Sequence, residues 1–324
     1  MAKSSYSKID EYGFERPDNF NYEVYDSFMS KYIRVLTRRS LRWNTIKEGH
    51  YTKNNTLKRF IRKGIPSDRR VAVWMATSGA DRLRNESPLT YQDLRKKVNN
   101  KALIETIQID LPRTFPDNIY FTSHEYLPQQ LFNVLATFSH QNTEVGYCQG
   151  LNYIAGLLLL ATKSEEASFW LLKVLVEQLL PKYYIPSMSG LLTDLDVLNA
   201  LIQKQEPILH RHIQNIGMPW ALGTTKWFIC LYSEVLPTET VLRIWDCLFN
   251  EGSKVLLRVA ITLIKLHKQK ILETTELSEL IACFRDMRSH EGVIDCHQFM
   301  KDVFTLPGSF SSNSLDKLRI KHQK

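Results

Sequence analysis

Apolar residues recur at helical spacing through most of the chain, and no segment alternates convincingly with a period of two. Tyr25, Phe28, Tyr32, Val35 and Leu36 predict a first amphipathic helix. Lys31, Arg34, Arg38 and Arg39 then form its outer face, which reads as a solvated flank. In GIPSDRRVAVWMATSG, Gly64 stops one helix, Ser67 or Asp68 caps the next, and Gly79 ends it. Val71, Trp74 and Met75 share one face of that helix, so Trp74 is expected to anchor the core. A further helix carries Leu103, Ile104 and Ile107. From Leu127 to His140, Pro128 sits at a first helical position, and Leu131, Val134, Leu135 and Phe138 line one face. The apolar run from Leu151 to Ala161 predicts a buried helix. Ser164 is placed to cap EEASFWLLKVLVEQLL, with two glutamates where the helix dipole favours acid. Tyr183 to Gly190 reads as a turn between lobes. The segments LLTDLDVLNALIQKQ, TKWFICLYSEVLP, TETVLRIWDCLFNEG and KVLLRVAITLIKLHKQKIL each have helix length.

This pattern predicts an all-α protein of two helical lobes, because there are too many apolar segments for one small bundle. The expected divisions are a leader and amphipathic helix at 1–50, a helical domain at 58–305 with lobes at 58–185 and 186–305, and a basic tail at 306–324. The polar leader up to about Phe20 is expected to dock loosely or not at all.

Composition narrows the function classes without choosing one. A chain of 324 residues with 44% hydrophobic residues is neither disordered nor fibrous. Its net charge of +8 suits nucleic acid, an anionic membrane or an acidic partner equally. Five irregularly spaced cysteines and an N-terminus without an apolar signal core suggest a reducing, cytoplasmic setting. No apolar run approaches the roughly 18 residues that a membrane span needs. Ala2 removes the glycine required for myristoylation, and KHQK offers no prenylation cysteine. Membrane proximity is therefore expected only through a partner or surface charge.

The candidate chemistry lies between Ile107 and Asn152. IQIDLPRTFPDN places Arg113 beside Pro112, and YCQGLN places Gln149 before Gly150. Neither side chain is a nucleophile or a general base near neutral pH, so the pair suits charge stabilisation and water orientation. Pro112 disfavours the α conformation at Leu111, which predicts that a loop begins at Arg113 and that Arg113 does not sit in an ordinary i, i+3 surface pair with Asp110. Gly150 permits a sharp turn. Taken alone, Gln149 reads more readily as a buried amide satisfying loose backbone groups.

The strings GIPSDRRVAVW, IQIDLPRT and YCQGLN resemble signature segments of the TBC-domain family, GTPase-activating proteins for Rab-type small GTPases. KWFICLYSEVLP and VLRIWDCLFNEG also fit, so the resemblance spans about Arg62 to Phe304. It implies an all-helical domain and a two-finger mechanism in which Arg113 matches the family's catalytic arginine and Gln149 its catalytic glutamine. Asp110, Thr114, Tyr147, Gly150 and Asn152 are then the expected positioning residues. The implied partner is a Rab-type GTPase in its GTP-bound state. GTP and Mg²⁺ are expected on that partner, because the sequence contains no G-x-x-x-x-G-K-[ST] or G-x-G-x-x-G fingerprint.

The principal alternative is a catalytically silent helical scaffold that binds a small GTPase or another trafficking partner. A cysteine hydrolase built on Cys148 lacks a matched histidine. Cys283, His290, Cys296 and His297 fit no usual zinc spacing, so no metal or cofactor of its own is expected. Nucleic acid is not expected either, since no reading motif accompanies the charge.

Overall fold

The computed structural model describes residues 7–18, 20–122, 126–309 and 311–323. Ala2 and Lys324 lie outside these. Among the described residues there is no strand, only isolated bridges pairing Ile9 with Glu15 and Phe14 with Asn118. The chain is all-α, and no described helix is long and apolar enough to cross a membrane.

Two compact units divide the chain. The first comprises Met1–Phe60 and Gly64–Leu175, and the second Ile61–Lys63 and Val176–Lys324. The break falls at Leu175 to Val176, ahead of the turn around Tyr183 that the sequence suggested. The helices in order are α1 (Tyr22–Trp43), α2 (Asn55–Lys63), α3 (Ser67–Ser78), α4 (Ala80–Glu86), α5 (Tyr91–Lys96), α6 (Lys101–Asp110), α7 (Ile119–Thr122), α8 (Tyr126–Gln141), α9 (Leu151–Thr162) and α10 (Glu165–Val174). They continue with α11 (Ser189–Gln205), α12 (Pro207–Ile216), α13 (Trp220–Ile229), α14 (Thr238–Glu251), α15 (Lys254–Leu266), α16 (Lys268–Leu272), α17 (Leu277–Arg285), α18 (Glu291–Ile294), α19 (Cys296–Thr305) and α20 (Ser312–His322).

The core of the first unit is α8, α9 and α10 packed on one another, with α3 and α4 against α10. The predicted face of α8 is fully buried at Leu131, Val134, Leu135 and Phe138. Helix α9 is buried almost all round, as its unbroken apolar run requires. Ser164 caps α10 by accepting from the Ala167 amide at 3.2 Å. Glu165 does more than favour the dipole, since it accepts from the Tyr91 hydroxyl at 2.7 Å and from Arg95 at 3.0 Å. Trp74 is fully buried, as expected.

The structure corrects several local expectations. Arg39 is not on the outer face of α1. It is buried and donates to the Tyr32 hydroxyl at 2.8 Å, while its guanidinium lies against the bare α-carbon of Gly64. Neither Ser67 nor Asp68 caps α3, because Pro66 occupies the cap position and no side chain bonds there. Helix α13 begins at Trp220 and ends at Ile229, before the segment CLYSEVLP, where Leu231 and Tyr232 have φ of 48° and 66°. Burial of the Tyr232 ring, with its hydroxyl donating to the Leu256 carbonyl at 2.7 Å, holds that turn against helical propensity. The leader also docks: residues 9–16 form a small hairpin bonded to the segment after Arg113.

In the second unit, α11 packs on α12, α13 and α20, and α14 on α15 and α19. The basic tail is thus a docked helix. Arg319 donates two hydrogen bonds to Asp194, at 2.7 and 2.8 Å, and a third to Ser253 at 2.8 Å. Tyr183 donates to the same carboxylate. Asp194 is 1% exposed, so removing its counter-charge strands a buried anion. We expect Arg319→Ala to destabilise the chain by about 2 to 3 kcal/mol, below the roughly 3 to 5 kcal/mol of a fully buried pair, because Tyr183 remains and water can reach the site. A lowered midpoint of urea unfolding, only partly restored by Arg319→Lys, is the expected result.

Candidate functional site

Every residue singled out between Asp110 and Asn152 lies in the first unit. Helix α6 ends at Asp110 and tightens into a 3₁₀ turn over Leu111–Arg113, closed by the Thr114 amide donating to the Leu111 carbonyl at 3.1 Å. Leu111 keeps helical angles, φ −56° and ψ −50°, so Pro112 does not end the helical path as expected. The steric preference before proline is a bias, and here the turn outweighs it. The chain turns away one residue later, at Thr114, and Phe115 follows with φ 52°. A left-handed non-glycine residue costs about 1 to 2 kcal/mol. Burying the Phe115 ring offsets that cost. The ring sits edge-on to Phe14, Phe121 and Tyr153, in a space left by the missing side chain of Gly156.

Gln149 occupies a tight turn before α9. The Leu151 amide donates to the Cys148 carbonyl at 3.2 Å, and Gly150 takes φ 109° and ψ −32°, a conformation that strains any L side chain. Gln149 itself is exposed and its side chain bonds to no described residue, which overturns the buried-amide reading. Arg113 is likewise exposed: its side chain is 68% accessible, and its nearest carboxylate oxygen, on Asp110, is 4.0 Å away. At that exposure and separation the pair contributes at most a few tenths of a kcal/mol. Asp110 serves mainly as an acceptor from the Tyr147 hydroxyl at 2.7 Å. Burial, reinforced by the Asp110 carboxylate, pushes the Tyr147 phenol far above its ordinary range, so it remains a donor.

Bonds between the two turns join them into one unit. Asn152, 1% exposed, accepts from the Gly150 amide at 3.0 Å and donates to the Thr114 hydroxyl at 2.8 Å. Thr114 in turn donates to the Asp110 carbonyl at 2.8 Å. Tyr147 joins the Gln149 approach to α6, and the Tyr153 hydroxyl donates to the Arg113 carbonyl at 3.2 Å. Asp110, Thr114, Tyr147, Gly150 and Asn152 are therefore brought together by direct bonds. Tyr153 and Phe115 escaped the sequence reading. The only signal for Tyr153 is its place in the first turn of α9, and nothing in the sequence marks Phe115 as left-handed.

The arrangement presents one long cation and one amide from braced turns, without a base or nucleophile between them. Cys148 does not supply one, because burial pushes its thiol above the ordinary range. Among the described residues, no group of three or more His, Cys, Asp or Glu side chains is arranged to hold a metal ion, and Cys283 and Cys296 are buried.

Comparison with known proteins identifies the family. Residues 67–272 match the Rab-GTPase-TBC domain model. The chain is 47% identical over 322 residues to growth hormone-regulated TBC protein 1-A of Danio rerio, covering 98% of this chain and 90% of that one. It is 45% identical over 320 residues to growth hormone-regulated TBC protein 1 of Homo sapiens, covering 98% and 95%. The flagellar RabGAP TBC domain of Chlamydomonas superposes with a TM-score of 0.79 at 34% identity, covering 91% of this chain and 99% of that one. On its all-helical fold and these likenesses, the chain belongs to the RabGAP-TBC family.

Proposed function

We propose that this protein accelerates GTP hydrolysis by a Rab-type small GTPase, with Arg113 and Gln149 entering the partner's active site. The reading is carried by one observation: two exposed side chains suited to charge stabilisation and water orientation stand on turns that share a buried hydrogen-bond network. Phosphoryl transfer leaves little covalent work for protein groups, so positioning and electrostatics dominate the rate. Arg113 neutralises charge developing on the transferring phosphoryl, and its planar fork can engage two oxygens at once. Gln149 offers a carbonyl oxygen to the attacking water and an amide donor to a phosphoryl oxygen. The nucleotide and its Mg²⁺ arrive on the GTP-bound partner as substrate.

Asp110 supports this role in two ways. Its carboxylate keeps the Tyr147 phenol in place, and its weak pull on Arg113 leaves the guanidinium free to leave for a phosphate. The GTPase would place this protein at membranes transiently while the chain itself stays in the cytoplasm.

The test is single-turnover hydrolysis by a panel of GTP-loaded Rab-type GTPases. We expect at least one to be stimulated. Arg113→Ala should lose most of that stimulation, since an arginine finger is worth about three to five powers of ten, or about 4 to 7 kcal/mol. Arg113→Lys should recover little. Gln149→Ala should lose less wherever the GTPase's own glutamine can orient the water. GTPases that bind without being stimulated would establish the silent scaffold instead, and an Arg113→Ala chain at the full rate would remove the finger assignment.

A second expectation concerns the network. Asn152→Ala leaves the Gly150 amide and the Thr114 hydroxyl without their partner in a buried site, at a cost of about 1 to 3 kcal/mol. Its urea midpoint should fall accordingly, and stimulated hydrolysis should fall in protein that is still folded.

A further inference from the structure

The leader is bonded to the segment that leaves the Arg113 turn. Residues 9–16 form a hairpin in which the Asp10 amide donates to the Phe14 carbonyl at 2.9 Å, and the Asp10 carboxylate accepts from the Tyr12 and Phe14 amides, both at 2.9 Å. This hairpin is itself held to residues 117–119. Glu15 donates to the Asp117 carbonyl and Ile119 to the Gly13 carbonyl, each at 2.9 Å, and the buried Asn118 side chain donates to the Tyr12 carbonyl at 2.9 Å. Gly13 is needed there. Its φ is 90°, and a β-carbon would lie 2.5 Å from the Tyr120 ring.

One side chain of the hairpin reaches further. The Phe14 ring meets the Phe115 ring edge-on, with centroids 5.1 Å apart and planes at 88°. Phe115 in turn contacts the Tyr153 ring at 5.4 Å, and the Tyr153 hydroxyl holds the Arg113 carbonyl. A continuous path of packed rings and hydrogen bonds therefore runs from the leader to the backbone of Arg113. The left-handed Phe115 lies on that path and needs contacts around its ring to stay there.

We propose that the leader hairpin is a positioning element for Arg113, with Phe14 as its principal contact. The proposal rests on the finger reading given above. By packing Phe115, the hairpin fixes where the 3₁₀ turn ends and hence the direction in which the arginine leaves it. In this role it acts through Phe115, without bonding to the nucleotide itself. Misplacing a catalytic group by about 1 Å costs on the order of a hundredfold in rate.

The experiment uses the full chain with a responsive Rab-type GTPase, and compares wild type, Phe14→Ala, Phe14→Tyr and Arg113→Ala. Measurements are kcat, KM, affinity for the GTPase loaded with a non-hydrolysable GTP analogue, and hydrogen exchange of the amides from Thr114 to Ile119. We expect Phe14→Ala to lower kcat about tenfold to a hundredfold. KM and affinity should stay within about twofold, while exchange across that segment rises more than about tenfold, since the packing that suppresses local opening is removed. Phe14→Tyr keeps the ring edge and should restore the rate. If the alanine chain does not fold, Phe14→Leu takes its place with the same expectation.

Full kcat in Phe14→Ala alongside a disabled Arg113→Ala overturns the proposal and leaves the finger reading intact. A fall in affinity at unchanged kcat also overturns it, because the leader would then be a docking surface for the GTPase. Full activity in Arg113→Ala defeats the finger reading itself and, with it, this role for the leader.

Discussion

The site depends on a single buried amide. Asn152 uses its oxygen for the Gly150 backbone and its nitrogen for the Thr114 hydroxyl, so one side chain registers the turn before α9 against the turn after α6. No other side chain does this equally well. Aspartate could not donate to Thr114, and a hydroxyl could not span both groups. The Thr114 hydroxyl in turn donates to the Asp110 carbonyl, so each bond in the series orients the next. At 1% exposure no water competes for these partners, and leaving any one of them unpaired would cost more than the bond returns in net stability. The network is therefore closed or absent, which makes it a stiff ruler.

Such a ruler needs a rigid mount, and α9 supplies it. From Leu151 to Thr162 the helix is enclosed by α8 and α10, so the first-turn residues Asn152 and Tyr153 start from a backbone with little freedom. Rigidity below allows exposure above. Arg113 and Gln149 stand in water with almost no bonds of their own, and a solvated guanidinium costs the fold nothing to hold. In the proposed role a tight pair between Arg113 and Asp110 would have to break before a phosphate could be engaged, and at 4.0 Å the two groups form no such tight pair.

Helices whose burial follows from their own periodicity were legible in the sequence, as α8 and α9 show. So were the markers of the two turns, Pro112 and Gly150, though Pro112 marked its turn one residue early. Features that depend on distant chain were not. Arg39 looks solvent-facing by spacing, but it is buried because Gly64 leaves room for a guanidinium and Tyr32 supplies an acceptor. The turn at Leu231 and Tyr232 reads as helix until Leu256 brings an acceptor for the Tyr232 hydroxyl. The leader has too few apolar residues to predict docking. Backbone bonds to residues 117–119, the Asn118 side chain and the Phe14 ring hold it, and hydrophobic patterning does not register such bonds or a single ring contact.

The same logic explains why the site is written as two short strings and not as two isolated residues. In DLPRT, Arg113 is the exposed tip, while Asp110 and Thr114 face inward to partners in the other string. In YCQGLN, Gln149 is the tip, Tyr147 answers Asp110, Asn152 answers Thr114, and Gly150 allows the turn that brings both back. The inward positions pair across the chain, so each string is half of a single structure. An isolated arginine or glutamine says almost nothing about function. The complementary donors and acceptors beside them carry the information, because they state that the two tips are held in one frame.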